Sequence, residues 1–460
     1  MNRAAHATST GDQQRALWLS TISFTVCFAV WTIFSIIGIQ IKKDLGLNDT
    51  QFGLLVGTPI LTGSLIRLVL GIWTDQYGGR VVFAGVMASG AIATALLTFA
   101  YDYPTFLLAA LGVGIAGGSF AVGIAYVSRW YPKGKQGTAL GIFGVGNVGA
   151  AVTKFLAPFV LVAFGWKTVA LVWAGALMLM AIAFFFFAKD DPQLADRKRQ
   201  GVKPESFASQ MAPLKNLQVW RFSLYYFFVF GAFVALALWL PRYFIGVYGV
   251  DIATAGMLGA AYSIPGSIFR AMGGVMSDKF GARRVMYWTF IASVLVTFLL
   301  AYPATTYVVD GIRGPISFKI AIGFIPFTIL IFVLGFFMSI GKAAVYKHIP
   351  VYYPNHVGSV GGVVGLIGGL GGFILPIAFG AMNDLTGVWT SCFMLLFALV
   401  ATALTWMHFA IQRMEKKRVP ALAGPRDLPE LEVLGKPVPV AADAKARHPH
   451  GTRKPAHAHS

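Results

Sequence analysis

Apolar residues gather into runs of about twenty or more, at roughly 18–41, 51–74, 82–101, 105–127, 137–161 and 168–188. Each run can cross a bilayer as an α-helix, since about 20 residues rising about 1.5 Å apiece span the hydrocarbon core. A polar stretch from Lys189 to Lys215, with Asp190, Asp191, Arg197, Lys198, Arg199 and Pro204, interrupts the pattern. Six more runs follow, at roughly 219–240, 253–277, 284–302, 318–345, 358–381 and 389–411. The pattern predicts an all-α membrane protein of twelve spans. Its two six-helix halves occupy 1–188 and 218–411, with a hydrophilic linker at 189–217 and a disordered tail at 412–460.

Composition sharpens this reading. The chain is 57% hydrophobic and only 12% charged, about half the charge of a soluble domain. That excludes a soluble enzyme, a nucleic-acid-binding domain and a secreted disulfide scaffold. The net charge of +19 belongs largely to loops and tail. Arg80, then Arg129, Lys133 and Lys135, the linker, then Lys279, Arg283 and Arg284, and Lys347 fall on one side of a twelve-span layout. The other side holds fewer: Lys42, Lys43, Lys167, Arg242 and Arg313. The asymmetry predicts a multi-pass membrane protein with both termini cytoplasmic. No cleavable signal peptide is expected, because a polar N-terminus leads into a full-length span. Cys27 and Cys392 lie in apolar runs and read as small core residues. No nucleophile–base pair or metal-ligand cluster occurs in the spans, so neither an enzyme nor a cofactor is expected. His448, His450, His457 and His459 read as part of a disordered tail.

The halves echo each other. Gly63, Ser64, Arg67, Gly71, Asp75, Gly78 and Arg80 recur as Gly266, Ser267, Arg270, Gly274, Asp278, Gly281 and Arg283, every match at an offset of 203. Seven identities at one spacing point to a duplication about an axis along the membrane normal. A second echo places Gly137, Gly141 and Gly144 opposite Gly358, Gly362 and Gly365 at an offset of 221. The loop near 303–317, longer than its counterpart at 102–104, accounts for the difference. Glycines at three- and four-residue steps let another backbone approach. Gly144 and Gly365 are candidates for gating, with helix packing as the plainer alternative.

Charges within the spans are lopsided. Arg67, Lys154, Arg270 and Lys342 lie inside predicted spans, whereas the four glutamates and all the aspartates fall in loops, linker, tail or helix ends. An ionisable residue in hydrocarbon costs roughly 2.5 to 3.5 kcal/mol on insertion scales. Cations without a protein counter-charge imply an anionic ligand. Arg67 and Arg270, at equivalent repeat positions, are expected to face each other across the pseudo-twofold axis. Their planar donor forks suit bidentate contact with a planar oxyanion such as nitrate or nitrite, or a carboxylate.

The Gly-x-x-x-Asp-x-x-Gly-x-Arg element after the second and eighth spans resembles the loop signature of the major facilitator superfamily. That resemblance implies alternating access by rocking of two halves around a central site. It also assigns Asp75, Arg80, Asp278 and Arg283 to the conformational switch. The fourth-to-fifth-span sequence, Phe120 … Tyr131-Pro132-Lys133 … Gly141 … Gly144-Val-Gly146-Asn147-Val-Gly149, resembles the signature of the nitrate/nitrite porter family. The glycine-rich run Gly358 to Phe373 is similar to that family's second signature. The resemblance implies that Arg67 and Arg270 clamp the anion, with Asn147, Tyr226, Phe120 and Phe230 completing the site. Nitrate is then the expected substrate, with nitrite and protons as further partners and the monomer as the working unit. The chain looks closer to members thought to move nitrate with protons than to nitrate/nitrite exchangers. A lysine out of water beside other cations can give up its proton, which makes Lys154 and Lys342 candidates for proton coupling. A nitrate/nitrite antiporter is the alternative within transport. A nitrate sensor without transport is the alternative from another class.

Overall fold

The computed structural model describes residues 10–190, 216–352 and 357–418. Most of the expected linker and, from 419 onward, the expected tail with its histidines lie outside them. Among the described residues, eleven helical stretches are long and apolar enough to cross a membrane. The helix Asp49–Tyr77, with 29 residues, stands between the first and second of these as a further span. The order is Thr10–Leu45, Asp49–Tyr77, Gly79–Phe99, Tyr103–Trp130, Thr138–Phe164 and Trp166–Phe187 in the first half. The second half follows with Leu217–Tyr248, Ile252–Phe280, Ala282–Leu300, Phe324–Ile349, Val360–Thr386 and Ser391–Arg413. These are called the first to twelfth spans below.

Helix ends differ from the apolar runs where polar residues extend a helix beyond the hydrocarbon. The first helix already includes Thr10, ahead of the apolar run near 18, and the last continues to Arg418 rather than stopping at 411. The stretch after the ninth span is not a plain loop. It folds as an antiparallel hairpin of β1, Thr305–Gly311, and β2, Gly314–Ile320.

Several spans are interrupted at mid-length. The first breaks after Trp31, the fourth tightens into a 3-10 turn at Gly114–Gly118, and the fifth does so at Val145–Val148. The seventh widens into a π-helical turn at Phe227–Ala232, and the eighth breaks at Phe269 after Pro265. Such irregular turns re-aim side chains that a regular helix would point elsewhere.

The two halves are pinned together at the end carrying the hairpin. Asp49, at the start of the second span, meets Lys42 Nζ at 3.1 Å and Arg242 Nη2 at 3.4 Å, and accepts from the Asn383 amide. Asp384 accepts from the backbone N–H groups of Asp49 and Thr50 at 3.1 and 2.8 Å, and from Thr50 Oγ1 at 2.5 Å. Carboxylates at a helix N-terminus are doubly favoured, by unpaired N–H donors and by the helix dipole. Arg242, Asn383 and Asp384 belong to the second half and Lys42, Asp49 and Thr50 to the first, so this network is a latch between halves. Glycines let the second and eleventh spans close up beneath it: a Cβ on Gly57 would lie 2.9 Å from the Phe373 carbonyl.

At the opposite end, where the linker joins, a Cβ on Gly71, Gly141, Gly274 or Gly362 would meet no neighbouring element within 4 Å. These four glycines stand about one helical turn from Arg67, Gly144, Arg270 and Gly365.

Candidate anion-binding site

The residues singled out by the repeat converge between the halves. Arg67 and Arg270 are each only 7% exposed. Their guanidinium carbons lie 5.3 and 5.6 Å from the centre of one ring, that of Phe120. Arg67 also lies 5.6 Å from the Trp31 ring and 5.7 Å from the Phe230 ring, while Arg270 lies 5.9 Å from that of Tyr346. The aromatic faces supply cation–π attraction, and Phe120 stands against both cations.

Each arginine rests on a glycine of the other half. Arg67 Nη1 donates to the Gly365 carbonyl at 3.2 Å. A Cβ on Gly144 would stand 3.1 Å from Arg270 Cδ and Nε. The clasp is thus reciprocal, Arg67 against the eleventh span and Arg270 against the fifth. A side chain at either glycine would push on an arginine or, at Gly365, on the Tyr346 hydroxyl 2.9 Å away.

Donors remain over. Arg67 Nε, Arg270 Nη1, Ser64 Oγ and both amide atoms of Asn147 are buried without a hydrogen-bond partner. Leaving buried polar groups unsatisfied costs roughly 1 to 3 kcal/mol each, more for charged ones. Unsatisfied groups beside two buried arginines are the pattern expected where a polar ligand is to be bound. Asn147 is fully buried in the 3-10 turn of the fifth span, which packs against Pro265–Ile268, the turn just before Arg270. Phe230 lies on the π-helical turn, stacked on Tyr226 with centroids 5.0 Å apart and planes 9° apart. Tyr226 in turn meets Tyr346 edge-on at 4.9 Å.

The two lysines separate. Lys342 Nζ lies 3.1 Å from the Phe233 centroid and 6.0 Å from that of Phe230, and donates to the Gly266 carbonyl at 2.7 Å. It shares Phe230 with Arg67 and belongs to the site. Lys154 sits elsewhere, between the fifth and eighth spans, where its Nζ donates to the Ala150 carbonyl at 3.0 Å and to Ser263 Oγ at 2.9 Å. Both lysines are fully buried. Among the described residues, no carboxylate pairs with Arg67, Arg270, Lys154 or Lys342.

The expected switch residues lie outside this centre. Arg80 donates to the Phe185 carbonyl at 2.8 Å and meets Asp190 at 3.4 Å. Asp278 pairs with Lys347 of the tenth span at 2.5 Å, and Arg283 meets the Tyr352 hydroxyl at 3.4 Å. Asp278 and Lys347 are largely exposed, so their pair contributes little on its own. Asp75 falls on the second helix near its linker end. The latch of Asp49, Arg242, Asn383 and Asp384 was missed by sequence reasoning, as were Trp31, Ser64 and Tyr346. Ser64 alone carried a signal, its repeat partner Ser267.

Two pseudo-equivalent six-span halves, with a desolvated polar centre between them, define a secondary membrane transporter. The Major Facilitator Superfamily model matches residues 19–325 and 248–448, and the chain belongs to that family. It is 42% identical over 418 residues to the "Probable nitrate/nitrite antiporter NarK1" of Thermus thermophilus, covering 88% of this chain and 93% of that one. It is 30% identical over 400 residues to the "Nitrite extrusion protein" of Bacillus subtilis (strain 168), covering 86% and 95%. A "Probable nitrate transporter NarT" of Staphylococcus haemolyticus is 31% identical over 381 residues, covering 83% and 92%. Among solved structures, a bacterial homologue of the human lysosomal transporter Spinster, inward-facing and occupied, has the same fold. Its TM-score is 0.64 at 16% identity, over 88% of this chain and 98% of that one.

Proposed function

We propose that this protein moves nitrate across the bacterial inner membrane by alternating access, as a monomer, and that protons accompany the anion. One observation carries the substrate: two arginines from opposite halves share the Phe120 ring and keep buried donors unpaired. A planar anion between them receives the forks edge-on, while Phe120 and Phe230 cover its faces and exclude water. Asn147 adds an amide donor, and Tyr226 aligns Phe230. The names of the relatives, nitrate/nitrite antiporter and nitrate transporter, agree with this substrate.

Lys342 supports proton coupling. Arginine keeps its charge throughout a transport cycle, whereas lysine can release its proton, and Lys342 stands against the same Phe230 ring as Arg67. Exchange of nitrate for nitrite is the second reading, favoured by the name of the 42% identical relative. Uptake of labelled nitrate into proteoliposomes tests both. Symport requires accumulation driven by an inward proton gradient with no internal nitrite. Strict dependence on internal nitrite, with indifference to pH, establishes exchange. No nitrate movement under either condition overturns the substrate assignment.

A further inference from the structure

The hairpin between the ninth and tenth spans has a surface that the transport reading leaves unused. Its register pairs Thr305 with Ile320, Tyr307 with Phe318 and Val309 with Ile316. Directly opposed residues project to the same face of a two-stranded sheet. One face therefore carries Tyr307, Val309, Ile316, Phe318 and Ile320. The other carries Thr306, Asp310, Ser317 and Lys319, with Val308 and Pro315 between them. Apolar though it is, the first face lies open: Ile316 is 58% exposed and Phe318 44%. Tyr307 and Phe318 stack on each other, centroids 5.6 Å apart, without being covered. A two-stranded hairpin is marginal in water and needs something against its apolar face.

We infer that this hairpin lies on the bilayer, with its apolar face in the headgroup–acyl boundary of the leaflet at that end. Three observations select lipid as the occupant. β1 begins five residues after Leu300 and β2 ends four before Phe324, so the base of the hairpin is held where two spans leave the membrane. The Tyr302 hydroxyl, at the end of the ninth span, contacts the Tyr307 hydroxyl, which joins the apolar face to that span. The ninth and tenth spans, which flank the hairpin in sequence, leave Leu295, Phe298, Leu299, Ile325 and Ile329 exposed, an apolar band on the two spans that hold its base. Tyrosines are favoured at this depth, where the ring is apolar and the hydroxyl wet, and Lys319 on the opposite face suits phosphate headgroups. An anchored hairpin would hold the second half in the bilayer while the first rocks against it.

Spin labels at single cysteines test the inference in the full chain reconstituted in phosphatidylglycerol-containing vesicles, with buried Cys27 and Cys392 replaced by alanine. Labels at Val309→Cys, Ile316→Cys and Phe318→Cys should collide with oxygen severalfold more than with a water-soluble nickel chelate. Labels at Thr306→Cys, Ser317→Cys and Lys319→Cys should show the reverse. Nickel accessibility on both faces would mean that the hairpin stands in water, and overturns the inference. Spin–spin broadening on the apolar face that vanishes on dilution with unlabelled protein would assign the face to a second copy, and also overturns it.

Discussion

Replacing Arg67 or Arg270 with lysine keeps the charge and removes the fork, which isolates what the clamp contributes. Arg67 already spends Nη1 on the Gly365 carbonyl, so a lysine there must choose between that carbonyl and the anion. Arg270 Nη1 has no partner in the protein, so Arg270→Lys removes donors available only to the ligand. A hydrogen bond to a charged group is worth about 1.5 to 3 kcal/mol, or roughly ten- to a hundredfold in Kd. Arg270→Lys should sit at the upper end of that range and Arg67→Lys nearer the lower. The site's cations already lie buried without a carboxylate, so melting temperature should change little. Nitrate calorimetry in detergent gives Kd, and initial uptake rates in proteoliposomes show whether the weakened site still cycles. Both lysine variants binding nitrate within threefold of the parent, at unchanged melting temperature, would refute the clamp and leave the arginines as packing groups.

Phe120→Ala, Phe230→Ala, Tyr226→Phe and Asn147→Ala should each weaken nitrate binding, by about 1 to 3 kcal/mol where a donor to the anion is lost; unchanged calorimetric Kd in all four would remove them from the site. Gly144→Ala should displace Arg270, and Gly365→Ala the Tyr346 hydroxyl, slowing transport far more than it lowers melting temperature. Equal uptake by parent and alanine variants would contradict the reciprocal clasp. Asp49→Asn takes the charge from two ion pairs, of which the one to Arg242 bridges the halves, and should bias the protein toward opening at the hairpin end. Its signature is faster alkylation of a cysteine placed at buried Ile60, which packs against Gly372 of the eleventh span, and an unchanged rate would show that glycine packing alone keeps that end shut.

The spans and the arginine pair were legible in the sequence because each is a local or periodic signal. Twenty apolar residues announce a helix wherever they occur, and an intramembrane arginine repeated at one offset announces its symmetry mate. Contacts across the two halves leave no such trace. Asp49 reads as a loop residue at a helix start until Arg242 and Asn383, 193 and 334 residues away, are folded against it. Tyr346 and Trp31 are two aromatics among many until the π-helical turn and the break after Trp31 aim the surrounding rings at the arginines. The hairpin was legible in principle, since residues 305–320 alternate around a Gly-Ile-Arg-Gly turn, but a short strand between two strong helix signals reads as a loop. Lysines 154 and 342 look equivalent as single cations in apolar runs, and only packing distinguishes them.

That distinction bears on how the proposed symport would link the anion to a proton. Lys342 takes both its carbonyl partner, Gly266, and its aromatic partner, Phe233, from its own half, so rocking leaves those contacts intact while the anion beside Arg67 and Arg270 comes and goes. Lys154 is held by Ser263 of the opposite half, so its bond must break whenever the fifth and eighth spans separate. The two arginines stay charged in every state. A single nitrate balances only one of them, and each further cation makes crossing the membrane more costly. On the proposed symport, Lys342 is the group whose charge would answer to the anion, and Lys154 the group that would answer to the rocking. In proteoliposomes, Lys342→Met should leave nitrate bound but its uptake indifferent to an imposed proton gradient, whereas Lys154→Met should alter the rate of cycling and keep the gradient's effect. Loss of gradient dependence in the Lys154 variant alone would reverse the assignment. Retention of it in the double variant would place the coupling outside both lysines.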